Sequence, residues 1–421
     1  MTATASSLRR IAVVHNLPPG GAKRCLYELL RAMRGRYEIE LFQLQSPYAT
    51  FLPLEPFADR VHDVPVPVRP PGSGGVLRAA GDFRFYLQLQ AAWRSIAAAV
   101  NAGGFDLAFI HHCRFTQSPL VVPRLRVPTV YFCQEPPRAL YEPPIRRVGD
   151  DRAARHGWLR YLKDTVVRRW DRANVAASTV IEVNSHYSSE VIYRTYGRDA
   201  VVCLLGVDPG TFHPLRLARE RMVLTVGSLS PTKSHDLVIA AAALLPEGRR
   251  PRVVLAGPVR EEDAVERDYL TRFARERGVG FDIVAFPDDR TLCELYNRAT
   301  ATIFVPRLEP FGFVALESQA CGTPVVGIAE GGVRETVRDG VTGILCDRSA
   351  DSCAAAMERL LDDPALVERL GRAGTEAARR DWTWTRTLAS VERGFAAALQ
   401  AWRDRGGGAA AERNPPAALP R

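Results

Sequence analysis

Short runs of Val, Ile, Leu and Ala recur along the chain, and the stretches between them return apolar residues with helical spacing. Such runs, bounded by Gly, Pro, Asn or Asp, predict strands buried on both faces. Their alternation with helices predicts parallel α/β layers. In the first half the predicted strands are Ile11–Asn16, Ile39–Leu44, Leu107–His111, Thr129–Cys133, Val180–Asn184 and Val201–Leu205. The pattern restarts with Val223–Gly227, Val253–Ala256, Ile283–Phe286, Thr302–Val305 and Val325–Ile328. Between the two series, Gly206–Pro214 gathers turn formers and reads as an interdomain joint. The chain thus divides into a unit over 1–208 and another over 209–385, with no internal sequence repeat. A helix over 386–403 follows. Residues 404–421, rich in Gly, Ala and Pro, read as a disordered tail, and Pro65–Gly75 as a loop inside the first unit.

A length of 421 residues exceeds what one core holds, which agrees with two domains. With 46% hydrophobic and 24% charged residues, the composition is that of a globular protein. Met1–Arg10 lacks the apolar core of a signal peptide, and no apolar run reaches the length of about 18 residues needed to span a membrane. Eight cysteines lie scattered, mostly in apolar runs and without a C-x-x-C spacing. They read as small buried hydrophobes in a reducing compartment, so a cytoplasmic protein is expected. The net charge of +9 suits nucleic acid, an anionic membrane or phosphorylated substrates, but no nucleic-acid motif accompanies it. Basic residues concentrate in Arg146–Arg172, interleaved with Trp158, Leu159, Tyr161, Leu162, Val166, Val167 and Trp170 at helical spacing. Two readings stay open for this segment: a solvated helix whose apolar stripe is core, or peripheral contact with an anionic membrane.

The densest chemistry lies in Glu309-Pro310-Phe311-Gly312-Phe313-Val314-Ala315-Leu316-Glu317, directly after a predicted strand. A Pro/Gly turn there opens a helix, so the Phe311–Val314 backbone offers unpaired N–H groups and a positive helix end to an anion such as a diphosphate. Carboxylates beside that anion accept hydrogen bonds from the hydroxyls of a sugar or ribose. An ordinary strand–turn–helix joint with two surface acids fits the same spacing. Lys233, in Val226–Lys233, sits in the loop after the first strand of the second unit, where α/β proteins bind ligands. Gly20 and Gly21 follow the first strand and allow close backbone approach. His111 and His112 end one predicted strand, placing a histidine at the rim, although a structural histidine fits equally. Gln134-Glu135-Pro136-Pro137-Arg138 ends the next, where Glu135 suits a general base or a hydroxyl anchor. Gly331-Gly332 reads as a cleft lining or as a plain turn.

With its neighbours, this segment resembles the donor-binding signature of the family-4 retaining glycosyltransferases of GT-B fold. The family pattern E-x-F-G-x-x-x-x-E, then G-x-P-V-V, then G-G-x-x-E appears as Glu309, Phe311, Gly312, Glu317, Gly322, Pro324, Val325, Val326, Gly331, Gly332 and Glu335. It continues into Asp339–Gly343, and the likeness extends from about Ile11 to about Gly394. The resemblance implies an α/β protein of two Rossmann-like domains whose parallel sheets face an interdomain cleft. The first domain would take the acceptor and the second the nucleotide sugar, with helix 386–403 crossing back to the first. It also implies transfer of a sugar from a nucleotide-diphosphate sugar to an acceptor hydroxyl, lipid-linked or saccharide, in cell-envelope glycolipid or polysaccharide synthesis. The catalytic set would be Glu309, Lys233, His111 and Glu135. The donor set would be Gly227, Ser228, Lys233, Glu309, Phe311, Gly312, Phe313, Val314 and Glu317, with Glu317 on the ribose and Glu309 on the transferred sugar. Gly20, Gly21 and Arg138 would form an acceptor or phosphate loop. The chain departs from the family at Ser228, where an Arg is usual, and at Gln134–Glu135, where many relatives carry a His. No two aspartates stand two positions apart, so no metal is expected, and no cofactor besides the nucleotide-sugar co-substrate. Two alternatives remain: a nucleotide-sugar epimerase of the same fold, and a degenerate GT-B protein that only binds a partner.

Overall fold

The computed structural model describes residues 8–45, 51–66, 76–142 and 157–406. The first domain runs β1 (Arg10–Asn16), α1 (Gly21–Met33), β2 (Glu38–Leu44), β3 (Arg60–Val64), α2 (Val76–Ala102), β4 (Leu107–Cys113), β5 (Thr129–Phe132), α3 (Arg138–Tyr141), α4 (Gly157–Ala177), β6 (Val180–Val183), α5 (His186–Tyr196) and β7 (Val201–Val202). Its strands form one parallel sheet in the order β3-β2-β1-β4-β5-β6-β7. Residues alternate across β1: Ile11 and Val13 join a cluster with Leu26 and Leu29 of α1, while Ala12 and Val14 join Trp93 and Ile96 of α2. Both faces are covered, which is why Ile11–Val14 form an unbroken apolar run.

The second domain runs β8 (Glu220–Val226), α6 (His235–Leu244), β9 (Arg252–Gly257), α7 (Ala264–Glu276), β10 (Phe281–Ala285), α8 (Asp289–Arg298), β11 (Ala299–Phe304), α9 (Phe313–Ala320), β12 (Val325–Ile328), α10 (Val333–Thr336), β13 (Gly343–Cys346), α11 (Ala350–Asp362) and α12 (Pro364–Asp381). Its sheet, also parallel, has the order β10-β9-β8-β11-β12-β13. The strand order reverses between β8 and β11, so the loops leaving these neighbours diverge and open a crevice beyond their carboxyl ends. The loop after β8 carries Lys233, and the loop after β11 carries Glu309.

Two strands escape the sequence pattern. β3 alternates polar residues at the sheet edge, and β13 begins at Gly343, at the end of the motif segment Asp339–Gly343. A final helix, α13 (Trp384–Asp404), packs on the first domain. Its Phe395 ring meets Phe109 of β4 edge-on at 5.0 Å, its Glu392 accepts from Tyr37 Oη at 2.8 Å, and Thr387 donates to the Leu204 carbonyl at 2.8 Å.

All eight cysteines are free and buried. Among the described residues no helix is long and apolar enough to cross a membrane. α4 supplies only part of the basic segment, since 143–156 lie outside the described residues, as do most of the tail and most of Pro65–Gly75. Val167, Asp171 and Val175 turn inward from α4, whereas Tyr161, Leu162 and Val166 are exposed. The apolar stripe at this end of the helix is therefore not core.

Candidate functional site

The strap from Val305 to Phe311 links β11 to α9, and three contacts fix its path. Arg348 donates to the carbonyls of Val305 (2.9 Å) and Pro306 (2.6 Å) and pairs with Glu330 at 2.8 Å. Gly332 N–H donates to the Glu309 carbonyl at 2.8 Å. A Cβ at Gly331 would sit 2.5 Å from that same carbonyl oxygen, so the glycine pair is a close-packed floor under the Glu309 turn. Gly312 then caps α9 at φ 108°, a conformation that disfavours any Cβ, and no described side chain caps the helix. Ala315 N–H donates back to the Gly312 carbonyl at 3.1 Å, which leaves the Phe313 and Val314 N–H groups, without a partner among the described residues, for an anion.

Lys233 Nζ and Glu309 Oε2 form an ion pair at 2.7 Å, so the residues expected on the diphosphate and on the sugar hold one another. The Lys233 stem lies against Gly227, where a Cβ would meet its Cγ at 3.3 Å. Ser228 offers its carbonyl to His235 Nε2 at 3.1 Å, and Thr225 Oγ1 meets His235 Nδ1 at 3.0 Å. Burial lowers the His235 pKa to about 4, so the ring stays neutral and sets the Gly227–Ser228 path.

The first domain closes on this pair. Gly21 faces α9: a Cβ there would lie 3.2 Å from the Phe313 ring, so the uncapped amino ends of α1 and α9 meet across the cleft. Arg138 donates to the Arg307 carbonyl at 3.1 Å and to Glu142 at 2.7 Å. Glu135 stands close enough to Glu309 and Lys233 to feel both charges. Burial foremost, and then the Glu309 charge, push its carboxyl up to about 7, against the pull of Arg138 and Lys233.

His111 is not part of the site. β4 runs on to Cys113, so His111 sits inside the strand, fully buried, stacked on Phe132 at 5.5 Å and edge-on to Phe109. Burial holds its pKa well below the ordinary value, and neither ring nitrogen has a partner among the described residues. Its expected catalytic role is corrected to core packing. His112 points to the opposite face and is buried as well, its pKa lowered to about 4.

Glu317 lies inside α9, only 6% exposed, accepting from Tyr296 Oη at 2.8 Å. Arg24 of α1 approaches it to 3.9 Å, pairs with Asp289 and lies over the Phe212 ring. Burial, the largest influence, raises the Glu317 carboxyl above its usual range. Sequence reasoning missed Arg24 and Asp289, because nothing in a helix pattern reports a partner on another domain, and Tyr296, because nothing in it reports one on the next helix.

Residues 212–377 match the family described as glycosyl transferases group 1. The D-inositol 3-phosphate glycosyltransferase of Frankia alni is 37% identical over 213 residues, 46% of this chain and 52% of that protein. The Mycolicibacterium smegmatis protein of the same name is 30% identical over 282 residues, 63% of this chain and 58% of its own length. The chain thus spans little more than half of these curated relatives. Among solved structures, HepE of Anabaena with UDP and glucose superposes with a TM-score of 0.71 at 18% identity, covering 92% of this chain and 99% of that one. Sucrose-phosphate synthase from Thermosynechococcus elongatus gives 0.70 at 22% identity, with coverage of 95% and 100%. Two parallel-sheet domains and these likenesses give the chain the GT-B fold. Within that fold, the segment similar to the group 1 glycosyl transferases lies in the second domain and its approach.

Proposed function

We propose that the protein is a retaining glycosyltransferase that moves a sugar from a nucleotide-diphosphate sugar to an acceptor hydroxyl. The observation that carries this reading is the Lys233–Glu309 pair at the uncapped amino end of α9. A diphosphate seated on those N–H groups competes for Lys233 and releases Glu309, whose carboxylate is then free to accept from a hydroxyl of the sugar. As the bond from the anomeric carbon to the phosphate oxygen breaks, Lys233 and the helix end stabilise the charge left on the phosphate. The acceptor oxygen attacks from the same face, and its proton passes to the departing phosphate oxygen or to the Glu135 carboxylate.

HepE is solved with UDP-glucose, which supports a nucleotide-sugar donor here. The acceptor is assigned to the first domain and is lipid-linked or saccharide. The exposed apolar residues of α4 support an encounter at the inner membrane face, and the free buried cysteines suit a cytoplasmic setting. Charge stabilisation by Lys233 and α9 leaves no step that calls for a metal. The test is a panel of nucleotide sugars in excess chelator, read by thermal stabilisation, by slow release of nucleoside diphosphate, and by NMR of the product's anomeric configuration. A ligand at about 100 times its dissociation constant stabilises by about 2.7 kcal/mol. An inverted product overturns the retaining reading, and loss of activity that metal alone restores overturns the metal-independent one.

A further inference from the structure

The joint between β6 and α5 reaches across the cleft and holds the Glu309 turn at two points. Ser185 Oγ donates to the Pro310 carbonyl at 2.5 Å, and Ser188 Oγ approaches the same oxygen at 3.3 Å. The Glu335 carboxylate accepts from the backbone N–H groups of His186 (2.9 Å) and Tyr187 (2.8 Å), one oxygen to each. Those N–H groups are the otherwise unpaired first-turn donors of α5, where the helix end also favours a negative charge. Ser185 caps the same helix by accepting from Ser188 N at 2.9 Å. One helix end in the first domain thus binds a carboxylate and a carbonyl of the second.

Both grips bear on the same short segment. Glu335 follows Gly332, whose N–H holds the Glu309 carbonyl, and Pro310 is bonded directly to Glu309. The Glu309 and Pro310 carbonyls, which flank Pro310, are therefore fixed from different domains, the first by Gly332 and the second by Ser185. Separating the domains breaks the bonds to Ser185, Ser188, His186 and Tyr187 together and leaves the turn held from one side only.

We propose that Ser185 and Glu335 are positioning residues: they couple domain closure to the placement of Glu309 against the donor sugar. The inference rests on the sugar-transfer reading of the site. It follows that an open molecule binds the nucleotide but does not present Glu309 correctly, so donor is not spent before the acceptor domain is in place.

The test compares wild type with Ser185→Ala, Glu335→Ala, Glu335→Gln and the Ser185→Ala/Glu335→Ala double variant. Turnover of the donor selected by the panel should fall roughly 10- to 100-fold in the alanine variants, the loss expected when a reacting group is misplaced by about 1 Å. Affinity for bare UDP or GDP should change less than about twofold, because neither residue lies at the diphosphate seat. The double variant should lose little more than either single one, since the two act as a unit. Glu335→Gln keeps one acceptor oxygen and should recover part of the rate. In small-angle scattering with nucleotide bound, wild type should contract and the alanine variants should contract less. Unchanged kcat in folded variants overturns the inference, as does a fall in Tm alone with wild-type kcat and contraction. A wild type that turns over no nucleotide sugar overturns the transfer reading instead, and the scattering comparison still decides the coupling.

Discussion

Under the proposed reading, a diphosphate draws Lys233 away from Glu309, and donor binding becomes an exchange of partners. Lys233→Ala should lower turnover by roughly two to three orders of magnitude with folding retained. Glu309→Gln should impair transfer while leaving affinity for the bare nucleoside diphosphate intact or raised, because its competitor for Lys233 is gone. Isothermal titration separates the two effects, and a weaker nucleotide in Glu309→Gln would reverse the assignment. Glu135 supplies a pH test. Its folded-state pKa, near 7, lies above its ordinary value of 4.5, so its contribution to stability is full below pH 4.5 and is lost as pH rises through 7. The Tm advantage of Glu135→Gln over wild type should therefore grow between pH 5 and pH 8, and an advantage independent of pH would mean that Glu135 is not held protonated. At this scale the motif residues Glu309, Gly312 and Lys233 were legible because chemistry and turn geometry coincide in adjacent positions. His111 was misplaced because the strand was ended at His111, although it continues to Cys113. Arg24 was invisible, since a helical arginine carries no mark of the carboxylate that it will cover.

Among the elements, strands covered on both faces were legible, for burial between two helical layers fills most of their positions with apolar residues. β3 was missed because an edge strand keeps its polar residues. β13 was missed because a glycine opens it: Gly343 pairs with Val325, and a Cβ there would also crowd Val337 at 2.8 Å. α4 was read with two alternatives, and the membrane contact proposed above can be tested on its outer face. Tyr161, Leu162 and Val166 are exposed beside basic residues such as Arg169, a combination suited to an anionic surface. Co-sedimentation with anionic but not neutral liposomes is expected at low salt, weakening as salt screens charges beyond about 10 Å at 0.1 M. Leu162→Glu with Val166→Glu should abolish it. Binding that survives both changes would place the membrane contact elsewhere.

Across the whole molecule, the last described helix belongs to the first domain. Trp384, Leu388, Val391, Phe395 and Ala398 complete the face that Phe109, Phe132, Cys203 and Leu205 begin. Gly206 passes so close to this crossing that a Cβ would lie 2.5 Å from Trp384 N, and Gly394 clears room for the buried Glu182 carboxyl. Gly394→Ala should therefore destabilise the fold by about 1–3 kcal/mol, the usual cost of overpacking a core, as read from urea denaturation. A chain ended at Asp381 should be insoluble or bind a dye specific for exposed apolar surface, whereas a well-behaved soluble product would show that the first domain closes unaided. The crossing also sets a schedule during synthesis. A ribosome adds about 5–20 residues per second, so the whole second domain, on the order of ten to a few tens of seconds of translation, intervenes before the first can seal its face. Through that interval the nascent chain carries an apolar groove with no occupant, and holding it clear of other chains falls to the cell's chaperones.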